Sequence, residues 1–408
     1  MTLYEELKWR GLIKDVTSPE LENKLNNEKL TFYIGTDPTA DSMHIGHYSS
    51  FLIAKRLAKA GHKPLLLIGG ATGRIGDPRP TTEREMKSIE EIEKNTKNLK
   101  KQAEEIFGFE VVDNYDWIKN INIIEFLRDY GKYFNINYML DKDIIRRRLE
   151  TGITFTEFSY MLLQSLDFLH LHETRGVNLQ VAGSDQWGNI TSGVDLIRKK
   201  LGDEVYAFTM PLILDQNGKK FGKSEGNALW LDKNKTSSYE LYQYLINTDD
   251  SMIESYLKVF TFLSPEEIMD IVSKHNNEPH LRLGQKTLAK EIITDLHGKE
   301  EYEKAVKISE NLFSGNIKEI NVHDLMIGLK DVSHFILKDE SLLDLLVNNN
   351  ICSSKREARE FLNNNAISVN GEIINDENMF IDKTKTIEGK IVVIRRGKKK
   401  YYVGLVEE

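Results

Sequence analysis

The chain has 408 residues, enough for two or three domains of ordinary size. Hydrophobic residues make up 40% of it and charged residues 29%, a balance that excludes a disordered chain. The formal net charge of −8 excludes a wholly basic nucleic-acid coat protein, so any nucleic-acid contact must come from a local basic patch. The single cysteine, Cys352, excludes an intramolecular disulfide and a Cys-x-x-Cys metal site.

The N-terminus lacks the basic start and the apolar run of a signal peptide. No window of the sequence approaches the roughly 18 apolar residues of a membrane span. We therefore expect a cytoplasmic protein that has no membrane partner.

The start of the chain predicts a strand, a helix and a second strand. A β-rich run over 30–34 leads into a polar turn, and Ser42 is the expected N-cap of a helix over about 44–60. Gly61 is placed to end this helix, and the apolar run over 64–68 predicts a strand buried on both faces. Such a unit is right-handed with parallel strands, and its ligands bind at the carboxyl ends of the strands.

The rest of the chain predicts a second unit of the same kind, followed mostly by helices. The predicted segments are helices over 1–25 and 155–171, a charged and mostly helical region over 83–150, a strand over 179–182, a helix over 189–200, a strand over 207–214, helices within 236–315, a weakly patterned stretch over 316–340 and a small α+β module after it. Strands that alternate with helices indicate an α/β fold with a parallel sheet.

The turn after the first strand concentrates small and polar residues. They are Gly35, Asp37, Thr39, His44, Gly46 and His47. Gly46 lets a nucleotide approach the helix backbone closely, and the N-terminus of the helix favours phosphate. His44 and His47 are three residues apart and share one helix face. The pattern predicts a polyphosphate site, and the alternative is a pair of surface histidines at a helix start.

A second motif, Lys220-Phe221-Gly222-Lys223-Ser224, lies between Gly218 and Gly226. The glycines favour a mobile loop, and the lysines are point charges suited to phosphate oxygens. The alternative is a solvated turn that carries lysines. The motif is not a P-loop, because the spacing Gly-x-x-x-x-Gly-Lys-Ser/Thr is not met.

Together the two motifs resemble the two signatures of the class I aminoacyl-tRNA synthetases. Four further stretches, 33–42, 69–78, 155–164 and 183–189, resemble the bacterial tyrosyl-tRNA synthetases, and the likeness runs essentially from end to end. The resemblance implies a Rossmann-like parallel-sheet catalytic domain over 1–232 with a helical insertion, a helical anticodon-region domain over 233–320, a linker over 321–340 and an S4-like RNA-binding domain over 341–408. It also implies that the protein activates L-tyrosine with ATP and then esterifies the 3′-terminal adenosine of tRNA(Tyr).

The helix over 155–171 supports a pocket for the amino acid. Tyr160, Gln164 and Asp167 follow i, i+4, i+7 spacing and share one face of an otherwise apolar helix, for which the alternative is a structural hydrogen-bond network. By resemblance, Tyr33 and Asp167 hold the phenol hydroxyl of tyrosine. The resemblance also assigns the ammonium group to Asp77, Tyr160 and Gln164, and places Gln186 near the carboxylate.

The resemblance likewise implies the ATP site. The implied catalytic residues are Thr39, His44, His47, Lys220 and Lys223, and the implied ATP contacts are Gly35, Asp37, Gly46, Gly183, Asp185, Lys223 and Ser224. Mg²⁺ is expected to travel with the phosphates, without a dedicated protein site and without a prosthetic group.

Two stretches depart from the pattern of the family. The segment 77–84 lacks the lysine of the Gly/Ser/Lys-rich version that many relatives carry, and Arg79 or Arg84 is a hypothetical substitute at the pyrophosphate. Ile34 stands where some relatives have a polar residue near the ribose.

The last module predicts a helix and a hairpin that carry basic residues. Ser354 and Glu357 have the spacing of a capping box, and Asn370-Gly371 predicts a hairpin turn. The module resembles an S4 domain, and its implied RNA contacts are Lys355, Arg356, Arg359, Arg395, Arg396, Lys398, Lys399 and Lys400. The family resemblance further implies a homodimer through the catalytic domain, with Phe155, Phe158 and the region 120–150 as candidate interface residues.

Three alternatives stay open on the sequence. A tryptophanyl-tRNA synthetase shares the fold and both signatures, although Tyr33 with Asp167 and the S4-like tail argue against it. An adenylyl or cytidylyl transferase that acts on a small molecule would have no use for the helical and S4-like parts. A synthetase-like protein that only binds RNA would not need both histidines and both loop lysines.

Overall fold

The computed structural model describes residues 1–79, 82, 85–224, 227–330, 332–397 and 400–407, and for residues 223, 224 and 227 the backbone alone. The strands are β1 (Thr31–Thr36), β2 (Lys63–Ile68), β3 (Glu110–Asp113), β4 (Leu179–Gly183), β5 (Tyr206–Met210), β6 (Lys223–Ser224), β7 (Asn227–Ala228), β8 (Ser333–Ile336), β9 (Glu340–Ser341), β10 (Ile367–Val369), β11 (Glu372–Ile373), β12 (Phe380–Ile381), β13 (Ile391–Arg396) and β14 (Lys400–Leu405). The helices are α1 (Leu3–Trp9), α2 (Leu21–Asn27), α3 (Ile45–Lys59), α4 (Ile89–Phe107), α5 (Tyr115–Ile118), α6 (Ile123–Glu125), α7 (Ile136–Leu140), α8 (Asp143–Arg148), α9 (Phe155–Arg175), α10 (Trp187–Leu201), α11 (Ser238–Ile246), α12 (Ile253–Phe260), α13 (Pro265–Asn277), α14 (Leu283–His297), α15 (Lys299–Ser314), α16 (Val322–Gly328), α17 (Leu342–Asn348) and α18 (Lys355–Asn363).

The contacts divide the chain into two units, one of residues 1–236 and 248–288 and one of residues 237–247 and 289–408. The predicted domain boundaries do not coincide with this division. The domain assignment over 1–232, 233–320, 321–340 and 341–408 stays a prediction.

A five-stranded parallel sheet in the order β3-β2-β1-β4-β5 forms the centre of the first unit. The parallel α/β arrangement predicted from the sequence is therefore confirmed. The direction in which strands are added reverses between β1 and β4, and ligands of such sheets bind at that point, outside the carboxyl ends of the strands. Tyr33 and Gly35 lie on β1 and Gly183 ends β4, so the reversal brings these residues together.

One face of this sheet packs against α9 and α10. Tyr33 and Leu67 from the strands meet Phe168 of α9 and Leu196 of α10 in one buried cluster. Because side chains on a strand alternate, Phe32 and Ile34 face the opposite side, and both are nearly fully buried. The sheet is thus covered on both faces, which fixes the positions of its strand ends.

Two local predictions were wrong, and a third, that the region 83–150 is mostly helical, was right but incomplete. The stretch 1–25 is not one helix, since α1 ends before Gly11 (φ +71) and residues 14–17 run beside β5 instead, with Lys14 N donating to Thr209 O (2.7 Å). The N-cap of α3 is His44 and not Ser42, because His44 has the extended backbone of an N-cap (φ −120, ψ 171) and its Nδ1 accepts from Gly46 N. The region 83–150 contains a strand, β3, which continues the sheet beyond β2.

The last strand of the second predicted unit is shorter than expected. The apolar run over 207–214 forms β5 only as far as Met210. Pro211 follows, and a proline has no N–H with which to continue the ladder.

The second unit joins helices to a C-terminal sheet in the order β11-β10-β13-β14-β8. Ile308, Leu312 and Leu325 share one core with Val393 and Val403. The stretch predicted as a linker contains α16 and β8, and β8 is an edge strand of this sheet. It is ordered because its apolar residues pack in this core, a feature that its weak periodicity did not indicate.

In the C-terminal module the predicted hairpin turn is confirmed, whereas only the N-cap half of the predicted capping box is present. Ser354 caps α18, its hydroxyl accepting from Glu357 N at 3.3 Å, although the Glu357 carboxylate turns to Ser353 N rather than closing the box on Ser354. Asn370 (φ +49) and Gly371 (φ +89) form the turn between β10 and β11. Among the described residues, no helix combines the length and the apolar character needed to cross a membrane.

Candidate active site

A cavity of about 350 Å³ opens at the carboxyl ends of β1 and β4. Fifteen residues predicted from the sequence line it: Tyr33, Gly35, Asp37, Thr39, His44, Gly46, His47, Asp77, Tyr160, Gln164, Asp167, Gly183, Asp185, Gln186 and Lys220. The backbone of Lys223 and Ser224 pairs with β7, and their side chains lie outside what the structure describes. Residues from both halves of the sheet therefore meet in one cavity.

One end of the cavity carries a buried acid beside a buried phenol. Asp167 is 2% exposed and accepts hydrogen bonds from Asn114 Nδ2 (3.0 Å) and Trp117 Nε1 (2.9 Å). Burial raises the pKa of Asp167 to about 8, although these two hydrogen bonds act in the opposite direction. Burial also raises the pKa of Tyr33, and the Asp167 charge adds to the effect.

The Tyr33 hydroxyl has no hydrogen-bond partner within the described part of the chain, although the side chain is buried. A buried hydroxyl without a partner is costly, and a ligand hydroxyl placed between Tyr33 and Asp167 would satisfy both groups. This end of the cavity is therefore suited to a phenol.

Asn114 and Trp117 are functional residues that sequence reasoning missed. Both follow β3, in the region that was predicted to be mostly helical. The signal that could have found them is the short run Val111-Val112 bounded by acids and followed by Asn114, which is typical of a strand end. Once β3 is in the sheet, its carboxyl end lies on the same edge as the cavity.

Asp77 lies in a network of amide side chains. It accepts from Gln186 Nε2 (2.7 Å) and Asn189 Nδ2 (3.2 Å), and Asn189 also reaches Gln164 Oε1 (3.1 Å). Burial raises the pKa of Asp77 to about 6, and the hydrogen bond from Gln186 opposes the shift. Asn189 belongs to a stretch that carried the family resemblance but had no predicted role.

Asp37 is held between two hydroxyls. Tyr160 Oη donates to its Oδ2 at 2.8 Å, and Thr72 Oγ1 donates to its Oδ1 at 2.7 Å. A Cβ on Gly69 would lie 2.0 Å from Asp37 Oδ1, so only glycine fits beside this carboxylate. Asp37, predicted as an ATP contact, is thus hydrogen-bonded to Tyr160, predicted as an ammonium contact.

The two histidines form a compact pair at the N-terminus of α3. His44 Nδ1 accepts from Gly46 N, and His47 Nδ1 accepts from His44 N, both at 3.1 Å, with the ring centroids 4.0 Å apart. Each neutral ring therefore carries its proton on Nε2, which can donate to a phosphate oxygen. A Cβ on Gly46 would lie 2.8 Å from His44 Cε1, so glycine keeps the helix start open.

The lysine-containing loop is anchored to that same helix start. Ile45 N donates to Leu229 O (2.9 Å), and Leu229 N donates to Gly222 O (3.0 Å). Phe221 is buried against Tyr256 and Phe260, with ring centroids 4.6 and 4.8 Å away. These contacts fix the base of the loop from which Lys220 reaches the cavity.

Proteins of known family that are similar to this chain have the same domain types. A family model described as tRNA synthetases class I (W and Y) matches residues 25–314, and a model of the tyrosine–tRNA ligase SYY-like C-terminal domain matches residues 324–404. The tyrosine–tRNA ligase of Listeria monocytogenes is 49% identical, and that of Streptococcus mutans 47% identical, each match covering 99% of both chains. The chain belongs to the tyrosine–tRNA ligase family.

Solved structures of aminoacyl-tRNA synthetases have a fold similar to that of this chain. A C-terminally truncated mitochondrial tyrosyl-tRNA synthetase from Aspergillus nidulans is 34% identical with a TM-score of 0.67, covering 76% of this chain and 94% of that one. A tryptophanyl-tRNA synthetase from Encephalitozoon cuniculi is 16% identical with a TM-score of 0.55, over 74% of this chain and 87% of that one, which shows a shared fold alone. The predicted class I fold and the predicted activity, ligation of tyrosine to tRNA with ATP, are confirmed.

The departure from the family's pattern after Asp77 lies beside a second, smaller cavity. This cavity of about 100 Å³ shares Asp37 and Thr39 with the first and is also lined by Arg79 and Lys87. Arg84 lies outside the described residues. The substitution of Arg79 for the lysine of other tyrosine–tRNA ligases stays a prediction.

The basic residues predicted to bind RNA lie on α18 and on the β13–β14 hairpin of the second unit. Lys355 pairs with Asp344 (2.5 Å), Arg359 pairs with Glu377 (2.6 Å), and Arg396 lies over the Phe361 ring. Arg356 is on the same helix, and Arg395 and Lys400 are on the hairpin, whereas Lys398 and Lys399 lie outside the described residues. Their role in this tyrosine–tRNA ligase stays a prediction.

Proposed function

We propose that the cavity between β1 and β4 is where this enzyme recognises L-tyrosine, activates it with ATP and presents the tyrosyl-adenylate to tRNA(Tyr). The observation that carries the proposal is Asp167, which is buried, held by two N–H donors and close to the Tyr33 hydroxyl, for which the described residues supply no partner. A phenol fits between these two groups. Phenylalanine would offer no hydroxyl to either group and would leave the buried Tyr33 hydroxyl unsatisfied, so the site selects tyrosine.

The amino group of tyrosine is assigned to the other side of the cavity. Asp77 supplies a carboxylate, and Gln164 supplies an amide oxygen joined to Asp77 through Asn189. Tyr160 completes the set through its hydroxyl. Gln186, which donates to Asp77 at 2.7 Å, lies at the side where the carboxylate of tyrosine would enter.

In the activation step a carboxylate oxygen of tyrosine attacks the α-phosphorus of ATP, and pyrophosphate leaves. Negative charge develops on the phosphates, and preorganised donors that face that charge stabilise the transition state. Thr39, His44, Lys220 and Lys223 are the proposed donors to the β- and γ-phosphates. Mg²⁺ enters as part of the MgATP substrate.

The nucleoside is assigned to the two strand ends and the start of α3. The proposed contacts are Gly35, Asp37, Gly46, His47, Gly183, Asp185 and Ser224. A Cβ on Gly183 would lie 2.7 Å from Asp185 Oδ1, so a side chain there would displace the carboxylate proposed to bind the ribose. In the second step a ribose hydroxyl of the terminal adenosine attacks the activated carbonyl and AMP leaves.

The tRNA body is assigned to the second unit. We propose that the six described cations on α18, β13 and β14 contact tRNA phosphates, together with Lys398 and Lys399, which lie outside the described residues. This assignment predicts a salt-dependent affinity for tRNA.

We also propose a homodimer and a cytoplasmic location. The candidate interface exposes large apolar side chains, among them Phe155 (74% exposed), Ile124 (67%) and Ile123 (65%). Phe158, the other candidate, packs largely inside, against Met139 and its neighbours. A second copy of the chain would cover the exposed set.

The deciding experiment is ATP–pyrophosphate exchange with purified protein against all twenty amino acids, without tRNA. Exchange with tyrosine alone, lost in Asp167→Asn, supports the proposed pocket. Exchange that tolerates phenylalanine, or that survives Asp167→Asn with tyrosine selectivity intact, contradicts it.

A further inference from the structure

Arg148, the last residue of α8, is a buried guanidinium with contacts to three separate segments. Its Nη1 and Nη2 face the two carboxylate oxygens of Glu157 at 3.1 and 3.0 Å, and the side chains are 5% and 2% exposed. Its Nε donates to Gly152 O at 3.1 Å. Nη1 also donates to the backbone carbonyls of Arg79 (2.9 Å) and Thr82 (3.1 Å).

These contacts join two walls of the cavity. Arg79 is two residues beyond Asp77, so the guanidinium holds the chain as it leaves the cavity. Glu157 lies in the first turn of α9, three residues before Tyr160 and seven before Gln164, on the same side of the helix. The spacing between Asp77 and the helix that carries the other amino-group contacts therefore depends on Arg148.

A purely stabilising role explains this arrangement poorly. Burying an ion pair costs solvation of both charges, and a well-packed apolar pair is often as stable. An apolar pair cannot hold two backbone carbonyls and a carboxylate at fixed angles. The planar guanidinium does so through its hydrogen bonds. Glu157 is also diverted from the usual task of an acid at this helix position, which is to cap the helix N-terminus.

We infer that Arg148, oriented by Glu157, is a positioning residue for tyrosine binding: it sets the distance between Asp77 and α9 so that the ammonium group meets Asp77 and Gln164 together. The inference rests on the proposed function, because it takes the ammonium site from there. Arg148 itself does not line the described cavity and acts through the segment after Asp77.

The test compares ligands with and without the ammonium group on the full-length protein. In Arg148→Lys, the dissociation constants of tyrosine and tyrosinol are expected to rise about tenfold, because the single nitrogen of lysine cannot make the two-point contact to Glu157 and also reach both carbonyls. Desaminotyrosine, which lacks the ammonium group, is expected to change by less than about twofold. An equal loss for all three ligands, or no loss, would overturn the inference.

Matched variants keep the test decisive. Arg147→Lys changes the adjacent arginine, which pairs with Asp143 at 2.8 Å on the surface, and is expected to leave all three affinities unchanged. If Arg148→Lys does not fold, the double variant Arg148→Met/Glu157→Met removes both charges together and must show the same ammonium-selective loss. Asp77→Asn separates the two proposals. If Asp77→Asn leaves tyrosinol binding intact, the proposed ammonium site is wrong. If Asp77→Asn weakens tyrosinol binding but Arg148→Lys does not, only the positioning role of Arg148 fails.

Discussion

Gly222 of the late loop packs directly on Ile45 at the start of α3. Gly222 has φ +78, and a Cβ on it would lie 1.8 Å from Ile45 Cγ2. Two motifs that are far apart in the sequence thus share one van der Waals contact. The contact brings the glycine-rich loop with its lysines to the N-terminus of α3, where we propose that the phosphates bind.

Gly222→Ala is expected to slow tyrosyl-adenylate formation by about tenfold or more, because the new methyl group pushes the loop away from Ile45 and misplaces its lysines. Single-turnover measurement of adenylate formation, with tyrosine affinity determined in parallel, checks this. Gly218→Ala is the control, since Gly218 has a similar φ of +74 but nothing within 4 Å of the new Cβ. Equal effects of the two substitutions would assign the loss to backbone strain instead of to the Ile45 contact.

Trp117→Phe keeps an aromatic ring but removes the N–H that donates to Asp167. Tyrosine is expected to bind about tenfold more weakly, since the hydrogen bond that orients the buried Asp167 carboxyl is lost, while the weak binding of phenylalanine stays unchanged. The ratio of kcat/KM for tyrosine and phenylalanine in pyrophosphate exchange measures the effect. Trp9→Phe, on α1 and away from the cavity-lining residues, is the control. An unchanged ratio would mean that the indole N–H does not orient Asp167.

The affinity for tyrosine is expected to depend on the ionisation of Asp77, whose pKa is raised to about 6. The ionised carboxylate binds the ammonium group, so the KM for tyrosine should fall as the pH rises through about 6 and then level off. Asp77→Asn should remove this dependence. A flat profile in the unmodified enzyme, or the same slope in both proteins, would remove Asp77 from the ammonium site.

Lys220→Ala is expected to lower the rate of tyrosine activation by about a hundredfold while leaving the dissociation constant of tyrosine unchanged, because the charge acts on the leaving phosphates. Rapid-quench measurement of adenylate formation at saturating tyrosine tests this. Lys219→Ala is the neighbouring control, as Lys219 does not line the described cavity. A loss of tyrosine affinity in place of rate would place Lys220 outside the phosphate site.

Phe155→Glu is expected to give a monomer at concentrations where the unmodified protein is a dimer, because burying a carboxylate in an apolar interface is unfavourable. Light scattering measures the molar mass. Phe313→Glu is the control, since Phe313 is equally exposed (74%) but belongs to the second unit. A monomeric unmodified protein would refute the dimer.

Short-range sequence patterns were enough to predict the first strands and helix that carry the site. The strand over 30–34, the glycine at position 61 and the run over 64–68 each carry a short-range signal, and the structure has β1, α3 and β2 there. The spacing of Tyr160, Gln164 and Asp167 groups them without any tertiary information, because helix geometry alone puts them on one face. Tyr33 and Gln186 were assigned only by family resemblance, and the structure places both in the cavity.

The sequence by itself therefore determined the α/β class, the polar turn before α3 and the polar face of α9, since each depends on residues close together in the chain. Only the tertiary structure decided that Asn114 and Trp117 hold Asp167, that Arg148 ties the segment after Asp77 to α9, and that Gly222 rests on Ile45. Apart from Arg148 and Glu157, which are nine residues apart, these partners are separated by dozens of residues or more, and their own neighbours carry no periodic signal for the contact. The order of strands in the sheet brings them together, and that order is set by packing of the whole core.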